Sequence, residues 1–201
     1  MQKITRWIIP LAALFALAAF IYIAPPGLLG KADAVGYAIC HRIDERSFHL
    51  HDRQLPMCAR DTGTFTSAGL TLLILALSKP KYAGMPSKKI IFALVAFFLA
   101  WAFDGANSYL YLIKQTYDGA LSQIPNIYIP NNTLRLLTGT GMGMGMGATL
   151  FAAFNQTAWK KLDMRPALKD WRDLGTLVGI LYLVALVILS ESIIVLYPIA
   201  F

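Results

Sequence analysis

Both cysteines and all three histidines of the chain lie in one stretch, Cys40 to Thr64 (CHRIDERSFHLHDRQLPMCARDTGT). It also holds Arg42, Arg46, Arg53 and Arg60 together with Asp44, Glu45, Asp52 and Asp61, so it concentrates the reactive side chains of an otherwise apolar protein. Cys40, His41, Cys58 and Asp61 offer S, N, S and O donors of the kind zinc accepts. Adjacent residues cannot easily share one ion, so His49 or His51 could stand in for His41. A zinc ion with an open position beside Asp104 or Glu191 would activate water for hydrolysis at a membrane surface. The same sulfurs admit a second chemistry. A Cys40–Cys58 disulfide would close a nineteen-residue loop, worth about 3 kcal/mol in the chain-entropy model. A redox pair exchanging electrons with a quinone is a weaker form of that reading, since no CxxC is present. A third reading is non-enzymatic: an accessory subunit of a larger membrane complex, or a homo-oligomer, with its polar residues as internal glue.

The elements that must position this stretch are greasy. The chain is 57% apolar and 14% charged, with a mean hydropathy of +0.55, against roughly 25% charge in a soluble domain. The net charge of +7 does not indicate nucleic acid, because the basic residues punctuate apolar runs instead of gathering on a folded basic face. The spacing predicts an all-α polytopic bundle in the cell membrane, one domain over 1–201, with about five spans at 7–24, 56–77, 90–113, 134–154 and 174–197. A short interfacial helix is expected within the motif loop, 31–57. Each run is about 20 residues, enough for a hydrocarbon core of roughly 30 Å. The first run is longer than a signal-peptide core and no clean small-x-small site follows it, so it reads as a retained span. Lys3 and Arg6, the 79–89 lysines, and the 160–172 cluster then share one side, the cytoplasm by the positive-inside rule. The N-terminus is cytoplasmic in that arrangement, and the motif loop and C-terminus are extracytoplasmic.

Charges inside spans are expensive and are functional candidates. Asp104 lies about 22 Å beyond Lys89, and Glu191 about 27 Å beyond Asp173, at about 1.5 Å per residue. Arg60 and Asp61 open the second span and Arg135 opens the fourth. Separate helices therefore raise these charges to one level beneath the Cys40 loop. Asp104 and Ser108 share a helical face, as do Cys58 and Asp61. Arg60 and Arg135, flanked by Ser108 and Asn132, could bind an anionic lipid head group; pairing with Asp61 and Asp104 is the competing use. Arg42 and Arg46 read as a solvated face. In TGTGMGMGMGA, glycines recur every four residues, giving a bare helix that a neighbour can approach closely. Met142, Met144 and Met146 then fill gaps instead of binding copper.

The segment CHRIDERSFHLHDRQLPMCARDTG, then Asp104-Gly105, then NxxRLxTG from Asn132 to Gly139, resembles a family of predicted membrane proteins, domain of unknown function number two thousand and eighty-five. The resemblance covers about residues 36 to 150. The family's pattern reads CARCTG, and this chain carries Asp61 in place of the second cysteine. The resemblance implies a membrane fold with its polar site in these motifs, and Asp61 would keep an anionic ligand at that position.

Overall fold

The computed structural model describes residues 2–117, 121, 123–161 and 163–200, with side chains from Trp7 onward. Seven helices make up the described chain: α1 (Gln2–Ile23), α2 (Leu28–Ile39), α3 (Ala59–Ser78), α4 (Lys88–Thr116), α5 (Asn132–Ala158), α6 (Trp171–Ile188) and α7 (Ile193–Ile199). Four short strands accompany them: β1 (Ser47–Leu50), β2 (Arg53–Cys58), β3 (Tyr82–Gly84) and β4 (Asp163–Pro166). The protein is thus mostly helical, but not all-α.

α3 and α5 form the central pair. Gly139, Gly143 and Gly147 face α3, and a Cβ at any of them would strike the backbone carbonyl of Arg60, Thr64 or Ala68. Gly63 answers from α3, against the Leu136 carbonyl. Ser67 crosses the seam, donating to the Thr140 carbonyl at 2.9 Å. The four-residue glycine repeat therefore places two backbones in contact, as its spacing requires. Side-chain caps fix where two helices begin. Asn131 accepts from the Leu134 amide at 2.9 Å, and Asp170 accepts from the Arg172 and Asp173 amides at 3.1 Å each.

At one end, β1 and β2 form an antiparallel hairpin turning at His51-Asp52, with Ser47 opposite Cys58. α2 lies against it, because Gly36 lets the helix touch the Pro56 carbonyl. α7 returns to the same end, where Leu196 and Ala200 join Phe48, Leu55 and Leu136 in one core. At the opposite end β3 pairs with β4 in parallel, and Lys79, just past the end of α3, binds Asp173 of α6 at 2.8 Å.

Several expected boundaries move. The motif loop expected over 31–57 holds the hairpin, and its interfacial helix is α2, which starts at Leu28 and ends at Ile39. The second span begins at Ala59 instead of Pro56, which sits on β2. The last span stops at Ile188. Among the described residues two helices, Lys88–Thr116 and Trp171–Ile188, are long and apolar enough to cross a membrane. The number rises to three if Trp7–Ile23 and Leu28–Ile39, bent by 113° at their joint, count as one. The expected five apolar spans are therefore not met by length and composition. α3 and α5 fall short because glycine, serine and threonine line their shared seam.

Candidate functional site

β2 ends at Cys58, and α3 starts at the next residue. This junction sets Cys58 and Asp61 on the first turn of α3, and the Cys58 thiol donates to Asp61 Oδ2 at 3.1 Å. Cys40, at the end of α2, returns to the same point. Its sulfur accepts from the Arg42 and Cys58 amides at 3.4 and 3.3 Å. The two sulfurs and an Asp61 oxygen all lie within 4.8 Å of one another. Both cysteines are free, so the disulfide reading is not met. His41 stands outside this donor trio, a correction to the four-ligand set. His41 lines the cavity beside the trio instead. A hydrogen bond between the Cys58 and Cys40 side chains pulls the Cys40 thiol down to about 7 against the opposing effect of burial. The same bond, burial and the Asp61 charge push Cys58 up.

A cavity of about 310 Å³ opens beside the trio. Cys40, Cys58 and Asp61 line it, and so do His41 and four arginines, Arg42, Arg46, Arg60 and Arg135. Arg60 pairs with Asp104. Asp104 is buried on α4, where Tyr128 donates to it at 2.5 Å and Thr138 at 3.4 Å. Arg60 also donates to Ser108 Oγ at 3.2 Å. Burial and the Asp104 carboxylate push the Tyr128 phenol up to about 12. Arg42 pairs with Asp33 at 3.1 Å and lies 4.4 Å over the Tyr37 ring. Arg46 donates to the Ser108 carbonyl at 3.0 Å, and burial and Arg60 hold its pKa below the usual range. Arg135 donates to Asn132 Oδ1 at 2.8 Å. Asn132 in turn holds the carbonyls of Glu45 and Ser47 at 3.4 and 3.3 Å.

The structure brings Arg60, Asp61, Asp104 and Arg135 together at this end, with Ser108 bonded to Arg60 and Asn132 to Arg135. Glu191 is the exception. The residue is exposed in the break between α6 and α7, with a φ of 50°, and does not line the cavity. Its expected place assumed a helix running unbroken to Tyr197. Arg42 and Arg46 are corrections of the other kind. They were expected on a solvated face, yet Arg42 keeps 8% of its side-chain surface exposed and both line the cavity. Trp101 and Tyr128 were missed. Trp101 was readable at i−3 from Asp104 on the same helical face; Tyr128 comes from a loop with no periodicity to read.

Residues 40–149, more than half of the chain, match a family model described as Predicted membrane protein (DUF2085). No curated protein and no solved structure matches the chain.

Proposed function

The chain belongs to the DUF2085 family of predicted membrane proteins, and from that premise we propose that it is a five-span protein of the cell membrane carrying a divalent-cation site at its extracytoplasmic face. Cys40, Cys58 and Asp61 are the ligands, and zinc is the ion their chemistry favours. One observation carries the reading: two sulfurs and a carboxylate oxygen within 4.8 Å of one another. Tetrahedral zinc, with bonds of about 2.0–2.3 Å, needs donors about 3.5–3.8 Å apart, so small side-chain rotations close the site. Two thiolates and a carboxylate around Zn²⁺ leave one negative charge, which the surrounding arginines offset. The amides that already point at Cys40 fix its lone pairs, as outer partners of metal ligands do. Three protein ligands leave a fourth position facing the cavity, the pattern of a site that polarises water or a substrate oxygen.

In this proposal α1, α3, α4, α5 and α6 all cross the bilayer, while α2 lies at the interface. α3 and α5 turn their polar small residues toward each other and leave lipid the rest, so their average hydropathy understates their outer faces. The basic opposite end, with Lys79, Lys81, Lys88, Lys89 and Arg165, faces the cytoplasm. Asp104 acts as a positioning residue, holding Arg60 at the cavity wall. The same network also supports the alternative of an accessory protein, because Arg60, Asp104, Tyr128 and Thr138 join α3, α4, α5 and a loop as internal glue.

Elemental analysis of protein purified with zinc and exchanged into metal-free buffer tests the site. One zinc per chain is expected, falling below about a tenth in Cys58→Ala and Asp61→Asn and unchanged in His49→Ala. Metal-free wild type with two free thiols, or zinc retained in Cys58→Ala, would remove the proposal.

A further inference from the structure

Charge and hydrogen bonding around the cavity do not balance. Four guanidiniums line it. Asp104 answers Arg60 and Asp33 answers Arg42, but among the described residues Arg46 and Arg135 meet no carboxylate. Arg135 is 5% exposed. Asp61 is the remaining acid on the cavity wall, and the Cys58 thiol donates to it.

The unanswered hydrogen-bonding atoms say the same thing. The Nε atoms of Arg42, Arg60 and Arg135 and the Trp101 indole nitrogen are buried with no partner among the described residues. All four belong to residues lining this one cavity, and all four are N–H donors. A buried donor without an acceptor is costly, and such atoms are rare in folded proteins. A cluster of them, beside two guanidiniums with no ion-pair partner among the described residues, calls for a ligand that only accepts hydrogen bonds and carries negative charge. A phosphate group meets that description, and the cavity volume falls within the range of small-molecule sites, about 300–1,000 Å³.

We propose that the cavity binds a phosphate ester, with Arg46 and Arg135 as its charge partners and Arg42, Arg60 and Trp101 as further donors. The inference does not rest on the metal site; it needs no ion. The wall also indicates the source of the phosphate. Ile39, Ile43 and Leu112 line the cavity, and Tyr109, 64% exposed on α4, stands at its edge. The face of α4 that carries Tyr109 continues along the helix as exposed Phe98, Val95 and Ile91. A phosphate carried on a lipid could enter with its chains along this face, whereas a free phosphate would leave the apolar wall unused.

Binding of the full chain is measured in neutral phosphatidylcholine nanodiscs with chelator present, titrating either phosphatidic acid or inorganic phosphate, with thermal stability and native mass spectrometry as readouts. Saturable binding of phosphatidic acid is expected, weakened about tenfold or more in Arg46→Gln and in Arg135→Gln. Arg165→Gln, at the opposite basic end, should bind as wild type. Arg46 lies outside the helix seam, so its variant remains informative if the Arg135 variant fails to fold. Saturable binding of inorganic phosphate with no added affinity for phosphatidic acid would support the anion site and assign it a soluble ligand. No saturable binding of either probe, equal affinity in Arg46→Gln, or binding that appears with zinc alone would each overturn the proposal.

Discussion

Asp104 shows how much one buried carboxylate can hold. It accepts from an arginine, a phenol and a threonine hydroxyl drawn from three other parts of the chain. Asp104→Asn leaves Arg60 buried without its counter-charge, and should cost about 3–5 kcal/mol. Tyr128→Phe removes one donor and should cost about 1.5 kcal/mol. Thermal unfolding in detergent checks the order; equal losses would contradict it. At the sulfurs, the hydrogen bond with Cys58 favours the Cys40 thiolate. In metal-free protein, Cys40 alkylation should therefore rise with pH and reach half its maximum near pH 7. Cys58→Ala removes the leading cause, so the midpoint should move up toward that of an ordinary thiol, near 8.5. A midpoint unmoved by Cys58→Ala would refute this account. Residue height was legible in the sequence, because depth along a helix needs nothing but the rise per residue. That is why Arg60, Asp61, Asp104 and Arg135 were placed together. Glu191 failed the same arithmetic, because α6 stops at Ile188 inside a run that composition alone reads as continuous.

Among the elements, the α3–α5 seam makes the sharpest claim. Gly143→Ala places a methyl group against the Thr64 carbonyl and Ser67 hydroxyl and should destabilise by about 1–3 kcal/mol through overpacking. Gly69 on α3 and Gly179 on α6 have nothing within 4 Å of an added Cβ. Alanine there should be neutral or stabilising by up to about 1 kcal/mol. The seam was legible as a spacing, and its partner helix was not, since a glycine repeat does not say which neighbour it admits. The hairpin was hidden for a different reason. Phe48 and Leu50 alternate with Ser47 and His49, and Leu55 and Met57 with Gln54 and Pro56, but each run is only about four residues long and polar residues join them, so the period is too short to stand out.

For the whole molecule, the two ends differ in kind. One carries the thiols, the cavity and the hairpin; the other carries the lysines and the β3–β4 pair. Single cysteines placed at His51 and Lys88 in a Cys40→Ser, Cys58→Ser background should label from opposite sides of intact cells, His51 from outside. Labelling of both from one side would refute the five-span topology. The segregation was legible from the charges, but the cavity was not, because its wall combines the end of α2, the hairpin, and three helix faces distant in sequence. The bare-backbone contact of α3 with α5 has a mechanical consequence. Arg60 and Arg135 are mounted on helices that cannot slide past each other without collision, so they form a fixed jaw. The opposing wall comes from the α2 terminus and the outer half of α4. Any change in the width of the opening must be a displacement of that second jaw, and the residues to watch for it are Cys40, Trp101 and Tyr109.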